Sequence, residues 1–300
     1  MKCPVCETTV PAPATAHHAG YDLFDCPACG VGFAWPMRAA EAAWYATSPL
    51  YLQAKLLHLP LGWHHRRLLA WAGAGAGRQL LDVGCGTGGF LAAARDQGFV
   101  ARGIDFDVDS VVRARERYGL QDVEALSLTE HTARYPGLRF DVVTLFEVIE
   151  HVEDPVGFLR EVRGVLRPGG HVALSTPNRE RCLDPLRDGD LPPNHLTRWR
   201  PAALATLLSR SGFTLDLLAV KPIGREDVQA ALRARWRLGM ARRLLERAAV
   251  QGEERVPRRA RLLMRAKDAA LGAAALPVWP LWRLRRGAGV GLLCVARSLP

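Results

Sequence analysis

The sequence predicts an α/β protein with a doubly wound, mostly parallel sheet, a small metal-bound ribbon at the N-terminus and a helical insertion before the last strand. Three observations carry this expectation. A strand, a glycine-rich loop and a helix start follow one another without a break from Leu80 to Leu91. Apolar, β-branched strand segments then alternate with helical segments as far as Val220, the pattern of a buried parallel sheet. Two Cys-x-x-Cys pairs set the first 36 residues apart. The 300 residues of the chain suffice for one large domain with a small module beside it.

The ribbon comes first. Cys3-Pro4-Val5-Cys6 and Cys26-Pro27-Ala28-Cys29 are separated by 19 residues, a spacing that supplies four thiolates to a closed tetrahedral Zn²⁺ site. With sulfur in all four positions no place is left for a substrate, so the expected role is structural. So short a segment buries too little apolar surface to fold unaided. Tyr21 to Cys26 reads as one ribbon strand and Val31 to Pro36 as the exit. Trp44, Tyr45, Tyr51, Leu56, Leu57, Leu59 and Trp63 then fall in helices ending near Ala72, with ordinary packing the preferred reading of their aromatics.

The glycine loop carries Gly84, Gly86, Gly88 and Gly89 directly behind the strand Leu80 to Val83. Glycine serves where backbone must take positive φ and lie against a ligand. No Gly-Lys-Ser/Thr follows, so no lysine is placed for β- and γ-phosphates. Asp82 at the strand end would repel a pyrophosphate but suits a ligand bearing positive charge. Val100 to Asp105 is the second strand, and its terminal acid falls where a carboxylate accepts both hydroxyls of a ribose. Phe106 beside it is placed to pack on an adenine. Asp109 or Ser110 caps the helix Val111 to Tyr118, and Leu120 to Leu128 holds the third strand, with Ser127 near the adenine end.

Phe140 to Phe146 is the fourth strand, delivering Glu147-Val148-Ile149-Glu150-His151 to the carboxyl edge of the sheet. Asp154-Pro155 opens a helix over Val156 to Leu166, and Arg167-Pro168-Gly169-Gly170 turns into the fifth strand, His171 to Thr176. Pro201 starts a helix over Ala202 to Ser211. Phe213 to Val220 is the sixth strand and Gly291 to Arg297 the seventh.

Asp82-Val83-Gly84-Cys85-Gly86-Thr87-Gly88 resembles motif I of class I S-adenosylmethionine (SAM) methyltransferases, and the Leu-Arg-Pro-Gly-Gly turn between strands resembles the same family. The likeness covers residues 76–220 and returns at the C-terminus. It implies a seven-stranded Rossmann-like methyltransferase domain over 76–300, with its last two strands antiparallel and helices within 44–75 covering the cofactor. It further implies that Asp82, Gly84, Cys85, Gly86, Gly88, Asp105 and Phe106 bind SAM.

Glu147, Glu150 and His151 stand at i, i+3 and i+4, sharing one face if the segment is helical. This Glu-x-x-Glu-His resembles ubiquinone-pathway O-methyltransferases and small-RNA 3′-end 2′-O-methyltransferases. In the RNA enzymes a later histidine, beyond a Ser-Thr-Pro-Asn stretch, completes a metal site. Here Ser175-Thr176-Pro177-Asn178 is followed by His195, so the resemblance makes Glu147, Glu150, His151 and His195 candidate ligands for Mg²⁺ or Mn²⁺. The competing reading is that the two glutamates close the site and His151 caps a helix. Without a metal, His151 or His195 serves as general base, since an imidazole pKa of about 6.5 suits a hydroxyl proton. The catalytic candidates are Glu147, His151 and His195.

The formal net charge of +10 is concentrated: residues 222–290 hold 16 Lys/Arg against 6 Asp/Glu. This basic insertion at 222–288 is the clearest departure from the family pattern. Val228, Leu232, Trp236, Met240, Leu244 and Ala248 form an apolar helical stripe, and a second helix is expected over Arg258 to Ala275. A lid over the cleft is the first reading, peripheral attachment to anionic lipid the second, an RNA-binding surface the third. No signal peptide or membrane-spanning run is recognised, and the cysteine usage fits a reducing cytoplasm. The expected activity is methyl transfer from SAM to a hydroxyl oxygen of a small molecule, such as a sugar, quinone-like, lipid-linked or secondary-metabolite precursor. An RNA methyltransferase and a non-catalytic SAM-binding regulator or partner subunit are the alternatives.

Overall fold

A computed structural model describes residues 1–40, 44, 48, 60–235, 258–285 and 287–299. The ribbon contains β1 (Ala16–His18), β2 (Tyr21–Asp25) and β3 (Gly32–Trp35). The main domain follows in strict alternation: α1 (Trp63–Ala72), β4 (Gln79–Val83), α2 (Gly89–Asp96), β5 (Val100–Asp105), α3 (Val108–Tyr118), β6 (Val123–Ala125), α4 (Leu128–Arg134) and β7 (Phe140–Phe146). Then come α5 (Pro155–Val165), β8 (Leu166–Pro177), β9 (Thr197–Arg198), α6 (Pro201–Arg210) and β10 (Phe213–Val220). The insertion contributes α7 (Arg225–Arg235), α8 (Arg258–Ala275) and α9 (Trp279–Arg283) before β11 (Gly291–Ser298).

Seven strands make the main sheet in the order β10-β11-β8-β7-β4-β5-β6. β4, β5, β6, β7 and β8 are mutually parallel, whereas β11 runs against both β8 and β10. The order reverses at β4, so the loops after β4 and β7 part there and open a crevice at the carboxyl edge. The strands sit where long apolar runs put them: Leu81, Val143, Leu145, Val172 and Leu174 are fully buried beneath the helices.

Local chemistry moved several boundaries. Asp107, rather than Asp109 or Ser110, caps α3, its carboxylate accepting from the Ser110 amide at 3.1 Å. The third strand shrinks to Val123–Ala125 because Ser127 closes a capping box with Glu130 and starts α4 there. Ser127 is therefore a helix cap. The segment after β7 forms one tight turn over Ile149–His151, with Glu147 outside it at φ +56°. The helical face expected to carry all three ligands is not formed.

The ribbon does not stand apart. β3 pairs with β9, a two-residue strand of the main domain, giving a four-stranded sheet β1-β2-β3-β9. Cys3, Cys26, Cys29 and Phe33 share one continuous core with Ile149, Leu159, Trp199 and Leu204. In the insertion, α7 and α8 pack around Ile223, Val228, Ala231 and Ala275 and rest on Leu183. They leave the sheet between Val220 and Gly291, the end that faces Pro177 and the carboxyl edge. Tyr45, Tyr51, Leu56, Leu57 and Leu59, and the stripe from Trp236 to Ala248, lie outside the described residues.

Candidate active site

Behind Val83 the chain turns through Gly84 at φ +77°, Gly86 at +52° and Gly88 at +78°, a region that side-chain-bearing residues avoid. A Cβ on Gly88 would come within 2.8 Å of the Ala114 Cβ, so glycine lets the loop dock on α3. Among the described residues a Cβ on Gly86 would meet nothing within 4 Å. That face of the loop is open, and it stands beside Asp105, whose Oδ2 accepts the Gly86 amide at 2.8 Å. Asp105 Oδ1 accepts the Asp107 amide at 2.9 Å, which holds the carboxylate at the strand end next to the exposed ring of Phe106. The Cys85 thiol is buried against Gly103, and burial pushes it well above its usual range. Its side chain packs, while its backbone belongs to the loop.

The loop forms one wall of a cleft of about 230 Å³. Asp82, Gly84 and Phe90 line it on one side, Phe146 and Glu147 on another, and His64 and His65 of α1 on the third. A separate hollow of about 300 Å³ between α3 and β6 touches none of the predicted site residues. Asp82 is buried at the strand end, accepting 2.6 Å from the Thr144 hydroxyl. Burial pushes its carboxyl up to about 7, against the Thr144 bond and with help from the charge of Asp105. Such a group ionises readily when a cation arrives beside it.

His64 and His65 are cleft residues that the sequence did not disclose, since two adjacent histidines on a helix follow no motif. His65 stacks on Phe90 at 5.2 Å, and His64 lies 5.2 Å from the Phe146 ring. Desolvation lowers His64 to about 4 and His65 to about 3. Both rings are neutral at physiological pH and add to an aromatic wall.

Glu147 is surrounded by protein yet opens on the cleft. Its amide donates to the Ser175 carbonyl at 3.0 Å and its Oε1 accepts from the Ser175 hydroxyl at 2.8 Å. The left-handed backbone of a non-glycine residue here is strain held by its surroundings. Burial raises the carboxyl, with Ser175 and His195 opposing.

Of the four candidate ligands, Glu150, His151 and His195 come together, with one ligand atom from each lying within 4.8 Å of the others. Glu147 is not a member of that cluster. Glu150 is 1% exposed, and among the described residues neither of its carboxylate oxygens makes a well-formed hydrogen bond, the Thr176 hydroxyl and its own backbone amide offering only weak contacts. Burial, and then the neighbouring Glu147, push it well above the usual carboxylate range. His151 Nδ1 donates to the Asn194 carbonyl at 2.5 Å, and His195 Nδ1 donates to Asp190 at 2.9 Å. Both bonds place the ring lone pair on Nε2, the arrangement in which imidazoles ligate metal. Asp190, though buried, is held below the usual carboxylate range by His195 and by Arg181 at 2.6 Å. An orphaned carboxylate and two oriented imidazoles fit a divalent cation.

The ribbon cysteines also converge. Cys3 and Cys29 sulfurs stand 3.7 Å apart and Cys6 and Cys26 sulfurs 3.4 Å. Tetrahedral Zn²⁺ with thiolates at about 2.3 Å requires sulfurs about 3.8 Å apart, so the four residues fit the ion.

Residues 56–218, more than half of the chain, match the family model described as Methyltransferase domain. The chain belongs to this family, and its architecture is that of the class I SAM methyltransferases. It is 38% identical over 141 residues, 47% of this chain and 54% of the relative, to a Mycolicibacterium smegmatis protein named "Probable S-adenosylmethionine-dependent methyltransferase". It is 39% identical over 108 residues, 35% of this chain and 46% of the relative, to the ubiquinone biosynthesis O-methyltransferase of Thiobacillus denitrificans. The chain thus spans about half the length of these curated relatives. Among solved structures the fold matches the cyclase SpnF, with a TM-score of 0.54 at 19% identity over 86% of this chain and 94% of that one. It also matches coclaurine N-methyltransferase, with a TM-score of 0.51 at 12% identity over 78% of this chain and 71% of that one.

Proposed function

We propose that the chain is a SAM-dependent O-methyltransferase acting on a hydroxyl of a small molecule. The observation that carries this reading is the placement of Glu147 on the cleft that the glycine loop lines, with Glu150, His151 and His195 behind it. SAM, when bound, supplies an electrophilic methyl carbon. Asp82, Gly84, Gly86 and Asp105 hold that cofactor, Asp82 meeting its positive charge and Asp105 its ribose. Ser175 keeps Glu147 Oε1 in place, so Oε2 takes the acceptor proton. Glu147 is exposed on the cleft, yet the protein packed round it raises its carboxyl, which makes it a better base near neutral pH than a carboxyl free in water. Phe90, Phe146, His64 and His65 exclude water from the cleft.

A divalent cation held by Glu150, His151 and His195 would supply positive charge that favours the deprotonated acceptor. Two imidazoles among three donors suit Mn²⁺ better than Mg²⁺. The test is transfer of labelled methyl from SAM to extract fractions, with mass spectrometry of the product. Activity should disappear in Asp105→Ala, disappear on chelation and return with Mn²⁺. Label found only in RNA, or no label in any fraction, would reject the small-molecule reading, and full activity after chelation would reject the metal.

The insertion suggests where the acceptor is met. Leu276, Val278, Leu281 and Leu284 are all exposed around α9, while Arg283 and Arg285 lie over the rings of Trp279 and Trp282. Among the described residues no helix is long and apolar enough to cross a membrane. Exposed leucines flanked by arginine and tryptophan fit the surface of an anionic bilayer. Co-sedimentation with phosphatidylserine vesicles should exceed that with neutral ones, weaken with salt and fail in Leu281→Glu/Leu284→Glu. Equal recovery with both vesicle types would sink the idea.

A further inference from the structure

Zinc ribbons are commonly read as detachable modules, but here the ribbon is hydrogen-bonded to the segment that carries the site, most directly at Leu196. The second knuckle is closed by the Gly30 amide on the Cys26 carbonyl at 3.0 Å and by the Cys26 amide on the Val31 carbonyl at 2.9 Å. β3 leaves it at once and pairs with β9, Gly32 opposite Arg198 and Phe33 opposite Thr197. Leu196, directly behind His195, is clamped from both sides. Its carbonyl accepts the Ala34 amide of the ribbon at 2.8 Å, and its own amide donates to the Glu150 carbonyl at 2.8 Å. The Thr197 hydroxyl reaches the Ile149 carbonyl at 3.4 Å.

Side chains reinforce the backbone path. Asp25 of β2 pairs with Arg179 at 2.5 Å, and the Arg179 amide donates to the Trp199 carbonyl at 2.8 Å. Trp199 and Phe33 are both fully buried in the core that contains Cys26, Cys29 and Ile149.

We propose that the four-cysteine ribbon is a positioning element of the active site, its metal fixing Glu150 and His195 through β3, Leu196 and β9. The ribbon's three strands are only three to five residues long, and strands so short leave the register of the edge weakly held, so a metal in the knuckle adds the constraint that fixes it. Zinc fixes the knuckle, the knuckle sets the start of β3, and β3 sets Leu196. The three donors behind the cleft lie on two separate segments, the turn at 149–151 and the loop ending at 195, and Leu196 is the backbone tie between them. The inference rests on the reading of Glu150, His151 and His195 as a metal centre, and its test separates the two.

The 300-residue chain with zinc in the ribbon is compared with Cys29→Ser and with Ala34→Pro, which keeps all four thiols but deletes the amide bonded to Leu196. Ala34→Ser, which retains that amide, is the control. Amide hydrogen exchange should accelerate at Leu196 and Thr197 in both disrupting variants and stay slow at Leu81 and Val143. Mn²⁺ affinity, read by electron paramagnetic resonance, should fall by about tenfold or more, as when a supporting partner of a metal ligand is lost. SAM affinity should be unchanged, and Ala34→Ser should behave as the parent protein. Slow exchange at Leu196 and Thr197 with undiminished Mn²⁺ affinity, after ribbon zinc is lost, would overturn the proposal. If the zinc-loaded parent takes up no Mn²⁺, the metal reading of Glu150, His151 and His195 fails, and the exchange rates at Leu196 and Thr197 still decide the coupling.

Discussion

Glu150→Met is expected to raise the unfolding midpoint of the protein free of divalent metal at the cleft and, in the same preparation, to abolish methyl transfer. Glu150 is 1% exposed, and among the described residues neither oxygen has a well-formed hydrogen bond, only weak contacts with the Thr176 hydroxyl and its own amide. A buried polar group left without a partner costs about 1–3 kcal/mol, and methionine fills the same length with no polar atom. For a chain of this size the gain corresponds to a rise of about 2–4 °C for each kcal/mol. Catalysis moves the other way, because the variant removes the one carboxylate of the three-donor cluster. Calorimetry and a labelled-methyl assay on the same sample check both halves. A lower midpoint would mean that Glu150 supports the fold, and retained turnover would mean that it does not serve the reaction.

That opposition separates site from scaffold more sharply than the fold does. The cyclase SpnF shares the fold, so the fold does not by itself specify the reaction. What argues for the reaction is the side chains kept against stability at the crevice: an unpaired acid, a strained Glu147 and an aspartate held near neutrality.

The parallel strands were legible in the sequence because burial on both faces demands continuous apolar, β-branched runs. Phe140–Phe146 is such a run and stands at the residues expected; the half-buried Val100–Asp105 and the antiparallel edge strand Phe213–Val220 also stand where expected, marked by their flanking turns. The glycine loop was legible for a similar reason, since Gly84, Gly86 and Gly88 answer positive-φ backbone needs that other residues meet poorly. Elements decided by long-range contact were not. Thr197–Arg198 is a strand only because β3 lies beside it, and two residues carry no periodicity. Glu147 left the shared face because its amide follows the Ser175 carbonyl instead of a helical partner. The helix cap was expected at Asp109 or Ser110 and stands at Asp107, a miss that arises because all three side chains are able to accept an amide and nothing local chooses among them. His64 and His65 become cleft residues only where α1 packs, a contact that sequence distance conceals.

Asp82→Asn is expected to weaken SAM binding at about pH 8 by roughly 10- to 100-fold, the loss of one charge-assisted contact of about 1.5–3 kcal/mol, and to remove its pH dependence. The sign follows from the raised pKa. In the ligand-free fold Asp82 carries a proton up to about pH 7, whereas an unfolded aspartate loses it near 3.9. Between those values the folded state binds more protons, so this group's contribution to stability falls as pH rises. A cationic ligand reverses the preference by favouring the carboxylate. SAM affinity should therefore increase with pH, by up to about tenfold per unit below 7, and level off above it. Asparagine keeps an oxygen for the Thr144 hydroxyl, 2.6 Å away in the parent, so the fold is retained while the titration is lost. Calorimetric titrations near pH 6 in two buffers of different ionisation enthalpy should show proton release on binding to the parent protein and none to the variant. A parent affinity independent of pH would show that the ligand's positive charge does not reach Asp82, and the cofactor would then be held by the loop backbone and Asp105 alone.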